Sequence, residues 1–503
     1  MPPGTLIIRA DASVAMGTGH VMRCLALAQA WQDQGGECIF ALAEADLSIE
    51  ERLRSERIEM VTITAATGSQ QDAAQFVELA GKHHARWAVV DGYQFDIEYQ
   101  RTLKAAALKL LLVDDTGHAG GYVADIVLDQ NAHANEKCYQ RREPYTRLLL
   151  GSRYAMLRRE FKPWREWKRE IARLARKVLV TVGGADPDNF TARIIHALHL
   201  LADHNLESSI VVGGSNPHGD CLEKEVQDTG GAIRLLRNAL NMPELMANAD
   251  VAISAAGTSC WEMCFLGLPA VLIDVAENQT PVARELDRQG IAIHAGSSHH
   301  VTPEAIAAQL KLLLASPERR AAMSERGRRL VDSSGAQRVV SAMSAMGLRL
   351  RRAQPGDCEI LWAWVNDREA RENSFSTDTV TWETHREWFT SKLADPNSVL
   401  YMALDMNNGP VGQVRYDIEG SRALISISLA ARFRGKGHGS GLLALAVEEL
   451  FQSTSATVID AYVKPTNEIS LRVFKRAGFR RQDGVSFAGR PAVHFTLEKN
   501  RSA

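Results

Sequence analysis

Short apolar runs alternate with helically periodic stretches through the opening of the chain. "LIIRA" (6–10), "ECIFAL" (37–42), "WAVVDG" (87–92), "LKLLLVDD" (108–115) and "ADIVLD" (124–129) predict strands. "VMRCLALAQAWQDQ" (21–34) and "DIEYQRTLKAAA" (96–107) predict helices. Strands that read as continuous apolar runs, spaced by helices, predict a parallel sheet covered on both faces. A basic stretch over 156–176, "MLRREFKPWREWKREIARLAR", predicts a helical bridge. Beyond it the rhythm restarts with "KVLVTVGG" (177–184), "SSIVVGG" (208–214), "AIRLLR" (232–237), "ADVAISAAG" (249–257) and "PAVLID" (269–274). Two lobes of this kind imply a cleft in which ligands lie beyond the carboxyl ends of the strands. A small-residue tract over 331–347 closes the second lobe. After it the pattern changes to the alternating runs "SVLYMALD" (398–405), "GPVGQVRYDI" (409–418) and "ALISISLAA" (423–431), then a glycine loop, a helix, a strand and a helix. The fold class expected is therefore α/β: two Rossmann-like lobes over 1–160 and 161–345, and an α+β domain over 346–503.

Composition narrows the function without naming it. The 503 residues are 45% hydrophobic and 23% charged, with a net charge of −2. That balance, without a basic block, excludes nucleic acid or an anionic membrane as the main partner. No apolar run reaches the roughly 18 residues of a membrane span, and the N-terminus lacks a secretion signal. The seven cysteines form no C-x-x-C pair, which fits free thiols in a reducing cytoplasm. The doublets His83-His84 and His299-His300 are adjacent in sequence and cannot face one ligand, so no metal is expected.

The loop "MGTGH" (16–20) stands between the first strand and a helix. Glycines there let a backbone approach a diphosphate, and the free N–H groups of the helix start favour an anion. The dinucleotide fingerprint fails, because its third glycine is Met22 and no acid ends the second strand. Gly17 and Gly19 are thus candidate diphosphate contacts. His20 admits two readings from chemistry alone: a solvent-facing or capping residue, or a general base kept neutral by the helix N-terminus. Asp11, just upstream, is the candidate orienter.

The stretch "IRADASVAMGTGHVMRCLALAQA" resembles the opening of the UDP-2,4-diacetamido-2,4,6-trideoxy-β-L-altropyranose hydrolases, the PseG family. "VVDGYQFD" (89–96), "LLVDDTGH" (111–118), "GSRYAMLRREF" (151–161), "VTVGGADPDN" (181–190), "AAGTSCWEMCFLGLP" (255–269) and "AENQ" (276–279) are similar to that family's later motifs. The resemblance implies a GT-B arrangement of the two lobes. It implies His20 as the base that activates water, Glu262 on the uridine ribose, and Gly257, Thr258 and Ser259 along the diphosphate. It further implies Gly184, Asn278 and Gln279 near the sugar or phosphates, and Tyr93 near the sugar.

A second glycine loop, "RFRGKGHG" (432–439), precedes an apolar helix and again suits a diphosphate. With "NEISLRVFKRAGF" (467–479) it resembles the acyl-CoA loop and following motif of GNAT N-acetyltransferases. By that resemblance acetyl-CoA is the co-substrate. Arg434, Gly435, Lys436, Gly437, His438 and Gly439 cradle its pyrophosphate, Leu429 pairs with its pantetheine arm, and Asn467 binds it. The entry "LWAWVNDREARENSFSTDTVTWETHREWF" resembles PseH-like acetyltransferases of UDP-amino-sugars, making Asn366, Trp382, His385 and Trp388 candidate substrate contacts. The tyrosine that many GNAT enzymes use as general acid is Phe474 here, and Tyr462 or Ser470 could substitute.

Together the two resemblances imply a bifunctional cytoplasmic enzyme acting on small molecules. One part acetylates the 4-amino group of a UDP-4-amino-sugar, and the other hydrolyses the diacetylated product. Three other readings fit the same residues: a GT-B glycosyltransferase fused to an acetyltransferase, the same two steps on another diamino-sugar, and a non-catalytic sensor of UDP-sugar or acetyl-CoA.

Overall fold

The computed structural model describes residues 4–13, 17–44, 47–214, 216–227, 231–405, 408–435 and 438–499. The chain forms two compact units, one up to Ala336 and one from Gln337. The helix Gly335–Ala345, expected to close the second lobe, therefore lies almost wholly in the second unit.

The first unit contains two parallel sheets. Strands β1 (Thr5–Ala10), β2 (Glu37–Leu42), β3 (Glu59–Thr62), β4 (Trp87–Asp91), β5 (Lys109–Val113), β6 (Ile126–Asp129) and β7 (Arg147–Leu150) lie in the order β3-β2-β1-β4-β5-β6-β7. Strands β8 (Lys177–Thr181), β9 (Glu207–Val212), β10 (Ile233–Arg237), β11 (Val251–Ala255), β12 (Ala270–Asp274) and β13 (Ala292–Ser297) lie in the order β10-β9-β8-β11-β12-β13. This is the doubly wound order, with a topological switch point between β1 and β4 in one lobe and between β8 and β11 in the other. The apolar runs have a simple cause, since β4, β11 and β12 are buried on both faces. The helix Gly19–Gln32 is apolar nearly all round and is buried from His20 to Trp31 apart from Met22.

The stretch over 156–176 is not the expected helix. Only a 3-10 segment, Arg159–Glu166, forms, and it contains Pro163. Proline lacks an N–H and prevents a continuous ladder. The stretch instead packs Leu157, just before this segment, and Phe161 within it onto the core of the second lobe. Arg169 then donates to the carbonyls of Met246, Leu266 and Ala249.

The second unit is built on one mixed sheet. Strands β14 (Arg349–Arg352), β15 (Ser398–Leu404), β16 (Pro410–Glu419), β17 (Arg422–Leu429), β18 (Val458–Val463), β19 (Arg480–Phe487) and β20 (Arg490–Glu498) lie in the order β14-β15-β16-β17-β18-β20-β19. All pairings are antiparallel except β17 with β18. One face packs on the helix His438–Ser453 through Val399, Tyr416 and Ile425. On the other face Leu400 and Met402 pack against Leu361 and Phe389 of the helices Cys358–Val365 and Trp382–Ala394. The β19–β20 hairpin was not among the expected elements.

Candidate active sites

In the first unit the switch-point loops carry the chemistry. The loop after β1 leads into His20, the second residue of its helix and 8% exposed. The loop after β4 begins at Asp91, which is fully buried. His20 Nδ1 lies 2.6 Å from Asp91 Oδ1. Arg23, one helical turn after His20, donates from Nε and Nη2 to the two oxygens of Asp91 at 2.6 Å each. Arg23 Nη1 bonds both oxygens of Asp115 at 2.9 and 2.8 Å. Burial alone would raise the Asp91 carboxyl, but the charge of Arg23 and the hydrogen bonds from Arg23 and His20 override it and hold it well below the ordinary carboxylate range. An ionised Asp91 takes the Nδ1 proton of His20, so Nε2 carries the lone pair. That is the geometry of an oriented base.

This corrects the expected orienter. Asp11 does not face His20. Its Oδ1 accepts from Arg9 Nη1 at 2.6 Å and from Ala43 N at 2.7 Å, and its Oδ2 accepts from Thr67 Oγ1 at 2.9 Å. Arg9 also binds Asp72, so Asp11 belongs to a buried structural ion network at the end of β1. Asp91, Arg23 and Asp115 were missed as site residues. The signal available was "VVDG" at a strand end and "DD" after the next strand, read only as motifs.

Tyr93 stands between two histidines. Its ring meets His20 edge-on at 5.3 Å and His118 at 5.4 Å. Its hydroxyl reaches Asp115 Oδ2 at 3.3 Å and accepts from Asn278 Nδ2 at 2.6 Å. The last bond crosses from one lobe to the other. His118 lies 3.1 Å from Asp114 Oδ1 through Nδ1; burial would lower its pKa, but Asp114 raises it.

The loops of the second lobe approach the first closely. A Cβ on Gly184 would sit 2.4 Å from Thr18 Oγ1, and one on Gly19 would sit 3.8 Å from Thr258 Oγ1. Gly17, at φ +74°, donates its N–H to Ser13 O. Gly257, Thr258 and Ser259 thus lead into the helix Ser259–Leu266 opposite the His20 loop. Glu262, one turn in, bonds Arg158 Nη2 through Oε1 at 2.7 Å, and burial pushes its carboxyl up. Gln279 Oε1 accepts from Val275 N at 3.1 Å, holding the turn after β12.

In the second unit, β17 and β18 pair only over Arg422–Leu424 and Val458–Asp460, then separate. Among the described residues no strand pairs the edge of β17 toward Leu429 on that side, while β16 pairs its other edge as far as Leu429. Gly435 follows at φ +68°, and Gly439 lies in the first turn of the helix His438–Ser453. Lys436 and Gly437 lie outside the described residues. Arg434 points inward. Its Nε bonds Leu429 O at 3.0 Å and its Nη1 bonds Asp367 at 2.5 Å, so its side chain braces the loop. Asn467 caps the helix Glu468–Arg476, accepting from Ser470 N at 3.0 Å. Phe474 is buried against Phe479 and Phe495.

Two candidate substrate contacts prove structural. Asn366 clamps both backbone groups of Val380 at 2.9 and 2.8 Å. His385 is buried with Nε2 3.2 Å from Cys358 O. Trp382 meets Trp362 edge-on, and Arg415 lies over Trp388.

Residues 347–480 match the acetyltransferase (GNAT) domain family, and residues 177–339 match the glycosyltransferase family 28 C-terminal domain. The UDP-2,4-diacetamido-2,4,6-trideoxy-β-L-altropyranose hydrolase of Campylobacter jejuni is 24% identical over 294 residues, covering 57% of this chain and 98% of that protein. The chain fuses a region homologous to this hydrolase to a GNAT domain. The spore coat polysaccharide biosynthesis protein SpsG of Bacillus subtilis is 28% identical over 199 residues, covering 39% of this chain and 58% of its own length. An aminoglycoside N(6')-acetyltransferase of Klebsiella pneumoniae is 26% identical over 186 residues, covering 33% of this chain and 90% of that protein. The chain spans somewhat over half the length of the first curated relatives it matches. Within the fusion, the hydrolase-like region is the two-lobed GT-B unit and the GNAT domain is the mixed-sheet unit. No helix of the described residues is long and apolar enough to cross a membrane.

Proposed function

We propose that the chain is a bifunctional enzyme that acetylates, and then hydrolyses, a UDP-linked diamino-sugar. The GNAT domain transfers an acetyl group from acetyl-CoA to the 4-amino group of UDP-4-amino-4,6-dideoxy-N-acetyl-β-L-altrosamine. The GT-B unit hydrolyses the resulting UDP-2,4-diacetamido-2,4,6-trideoxy-β-L-altropyranose to UDP and the free sugar. The observation that carries the hydrolase reading is the His20–Asp91 pair at a switch-point loop facing the second lobe.

In this mechanism His20 Nε2 accepts a proton from water, and the hydroxide oxygen forms a bond to the anomeric carbon. The carbon–oxygen bond to the diphosphate breaks on the opposite face, with inversion. Asp91 stabilises the imidazolium that forms. Backbone N–H groups around Gly184 and Gly257–Ser259 receive the diphosphate charge. Glu262, beside Arg158, takes the ribose hydroxyls, and Tyr93 with Asn278 and Gln279 borders the sugar.

The GNAT domain suits acetyl-CoA because an unpaired strand edge and a loop with a positive-φ glycine lead into a helix start. Acetyl-CoA bound there supplies an activated acyl thioester. Leu429, Arg434–Gly439 and Asn467 would hold it. Tyr462 and Ser470 are the candidate hydroxyls near the leaving sulfur, because Phe474 has none.

Mass spectrometry of the chain with acetyl-CoA and the UDP-4-amino-sugar should show the acetylated intermediate, then UDP and the diacetamido sugar. His20→Ala should retain acetyl transfer and lose UDP release by about 10²- to 10⁴-fold. UDP release by His20→Ala at the wild-type rate would overturn the base assignment.

A further inference from the structure

Beyond the point where β17 leaves β18, one face of the sheet stays open. Ser426, on the central strand β17, is exposed on that face. The same face carries Asp460 and Tyr462 of β18, because they alternate with the core residues Ile459, Ala461 and Val463. Register places Thr496 opposite Asp460 and His494 opposite Tyr462. Asp460 is also the last β18 residue paired with β17, so this group stands at the apex where the strands separate.

The side chains there form a connected set. Asp460 is 8% exposed and receives Arg422 Nε and Nη2 at 2.8 and 2.6 Å. His494 Nε2 lies 2.7 Å from Asp460 Oδ1. Burial would raise the Asp460 carboxyl, but Arg422 and His494 hold it below its ordinary value. It is therefore ionised at neutral pH and takes the Nε2 proton of His494, leaving the lone pair on Nδ1. The imidazole is fixed by stacking: Tyr462 lies parallel to it at 4.7 Å and is itself covered by Phe487 at 4.4 Å. Phe375 closes the column against Phe487 at 5.1 Å, and Arg490 bonds Phe375 O. An Asp–His pair held rigid by Arg422 and the Tyr462 stack, mostly buried beside the strand gap, has the arrangement of an oriented base.

We propose that His494, positioned by Asp460, is the general base that deprotonates the acceptor amine; this rests on the acetyl-transfer reading above. An amino-sugar arrives as an ammonium ion and cannot attack until it loses a proton. His494 Nδ1 takes that proton and later releases it to water. The neutral amine nitrogen then bonds the thioester carbonyl carbon. As the carbon–sulfur bond breaks, the second proton of that nitrogen ends on the thiolate, giving the amide and a free thiol.

The test uses the full chain with acetyl-CoA and the UDP-4-amino-sugar. His494→Ala should lower kcat for acetyl transfer about 10²-fold, flatten the acidic limb of the pH profile, and leave KM for acetyl-CoA within about threefold. Added imidazole should restore part of the rate. The near-unchanged KM for acetyl-CoA reports an intact GNAT unit, and UDP release from the diacetylated sugar should match wild type. Asp460→Asn should lower kcat for acetyl transfer with KM for acetyl-CoA unchanged, because the amide no longer fixes the imidazole tautomer. Without acetyl-CoA, nitrogen NMR should show His494 as the Nε2–H tautomer, assigned by loss of its signal in His494→Gln. The base assignment is overturned if His494→Ala keeps the wild-type rate and pH profile, if imidazole gives no rescue, or if Nδ1 carries the proton. A wild-type chain that acetylates no UDP-4-amino-sugar overturns both this inference and the acetyl-transfer reading.

Discussion

At the scale of single residues, the proposed hydrolase site is a problem of charge held in place. Asp91 is buried and faces His20 Nδ1 and the Nε and Nη2 of Arg23. Asp91→Asn keeps the shape but loses the charge that fixes the imidazole tautomer. We expect kcat for UDP release to fall about 10²- to 10⁴-fold with little change in KM, measured by steady-state kinetics on the diacetylated UDP-sugar. Asp129, at the end of β6, is a different case. Burial and the nearby Asp115 push its carboxyl up to about 7, although Asn131 N and Tyr139 OH donate to it. Between the ordinary value of 3.8 and about 7 the folded state binds the extra proton, so this residue costs stability as pH rises. The melting temperature of Asp129→Asn minus that of wild type should therefore increase from pH 4 to pH 8. A difference independent of pH would show that Asp129 is ionised throughout. His20 was legible from its loop, whereas its partner was not. The two are 71 positions apart, and nothing local distinguishes Asp91 from any other acid at a strand end.

At the scale of elements, the strands were legible where burial is two-sided, as in β4 and β12, because continuous apolar runs have few other uses. The edge strands β3 and β7 were missed, being short and only part-buried. The hairpin β19–β20 was missed because β19 is mostly exposed and reads as polar coil. The alternation in "AVHFTLE" was the usable signal, and it carries His494. The glycine loops were legible as loops, but their meeting across the cleft was not. Gly184 is the clearest instance, since any Cβ there collides with Thr18. Gly184→Ala should hold the lobes apart locally and raise KM for the UDP-sugar more than it lowers kcat. Adding Thr18→Gly should recover most of the loss, because it removes the atoms struck. No recovery in the double variant would mean that the Gly184 backbone itself, and not its clearance, matters.

At the scale of the molecule, the two proposed activities sit on units with separate cores, one built on two parallel sheets and the other on a single mixed sheet. Damage confined to one site should therefore leave the other running. Gly435 offers a way to impair the acetyl-CoA loop alone, because φ +68° strains a β-branched residue. Gly435→Val should raise KM for acetyl-CoA at least tenfold while UDP release from pre-acetylated sugar stays within about twofold of wild type. His20→Ala should show the converse. Mixing the two variants then asks how the intermediate travels. If the acetylated UDP-sugar leaves one site and enters another by diffusion, the mixture converts the 4-amino-sugar to free diacetamido sugar, with a lag that shortens as protein concentration rises. A wild-type chain with no lag, beside a mixture with a long one, would show instead that the intermediate passes between sites of the same chain.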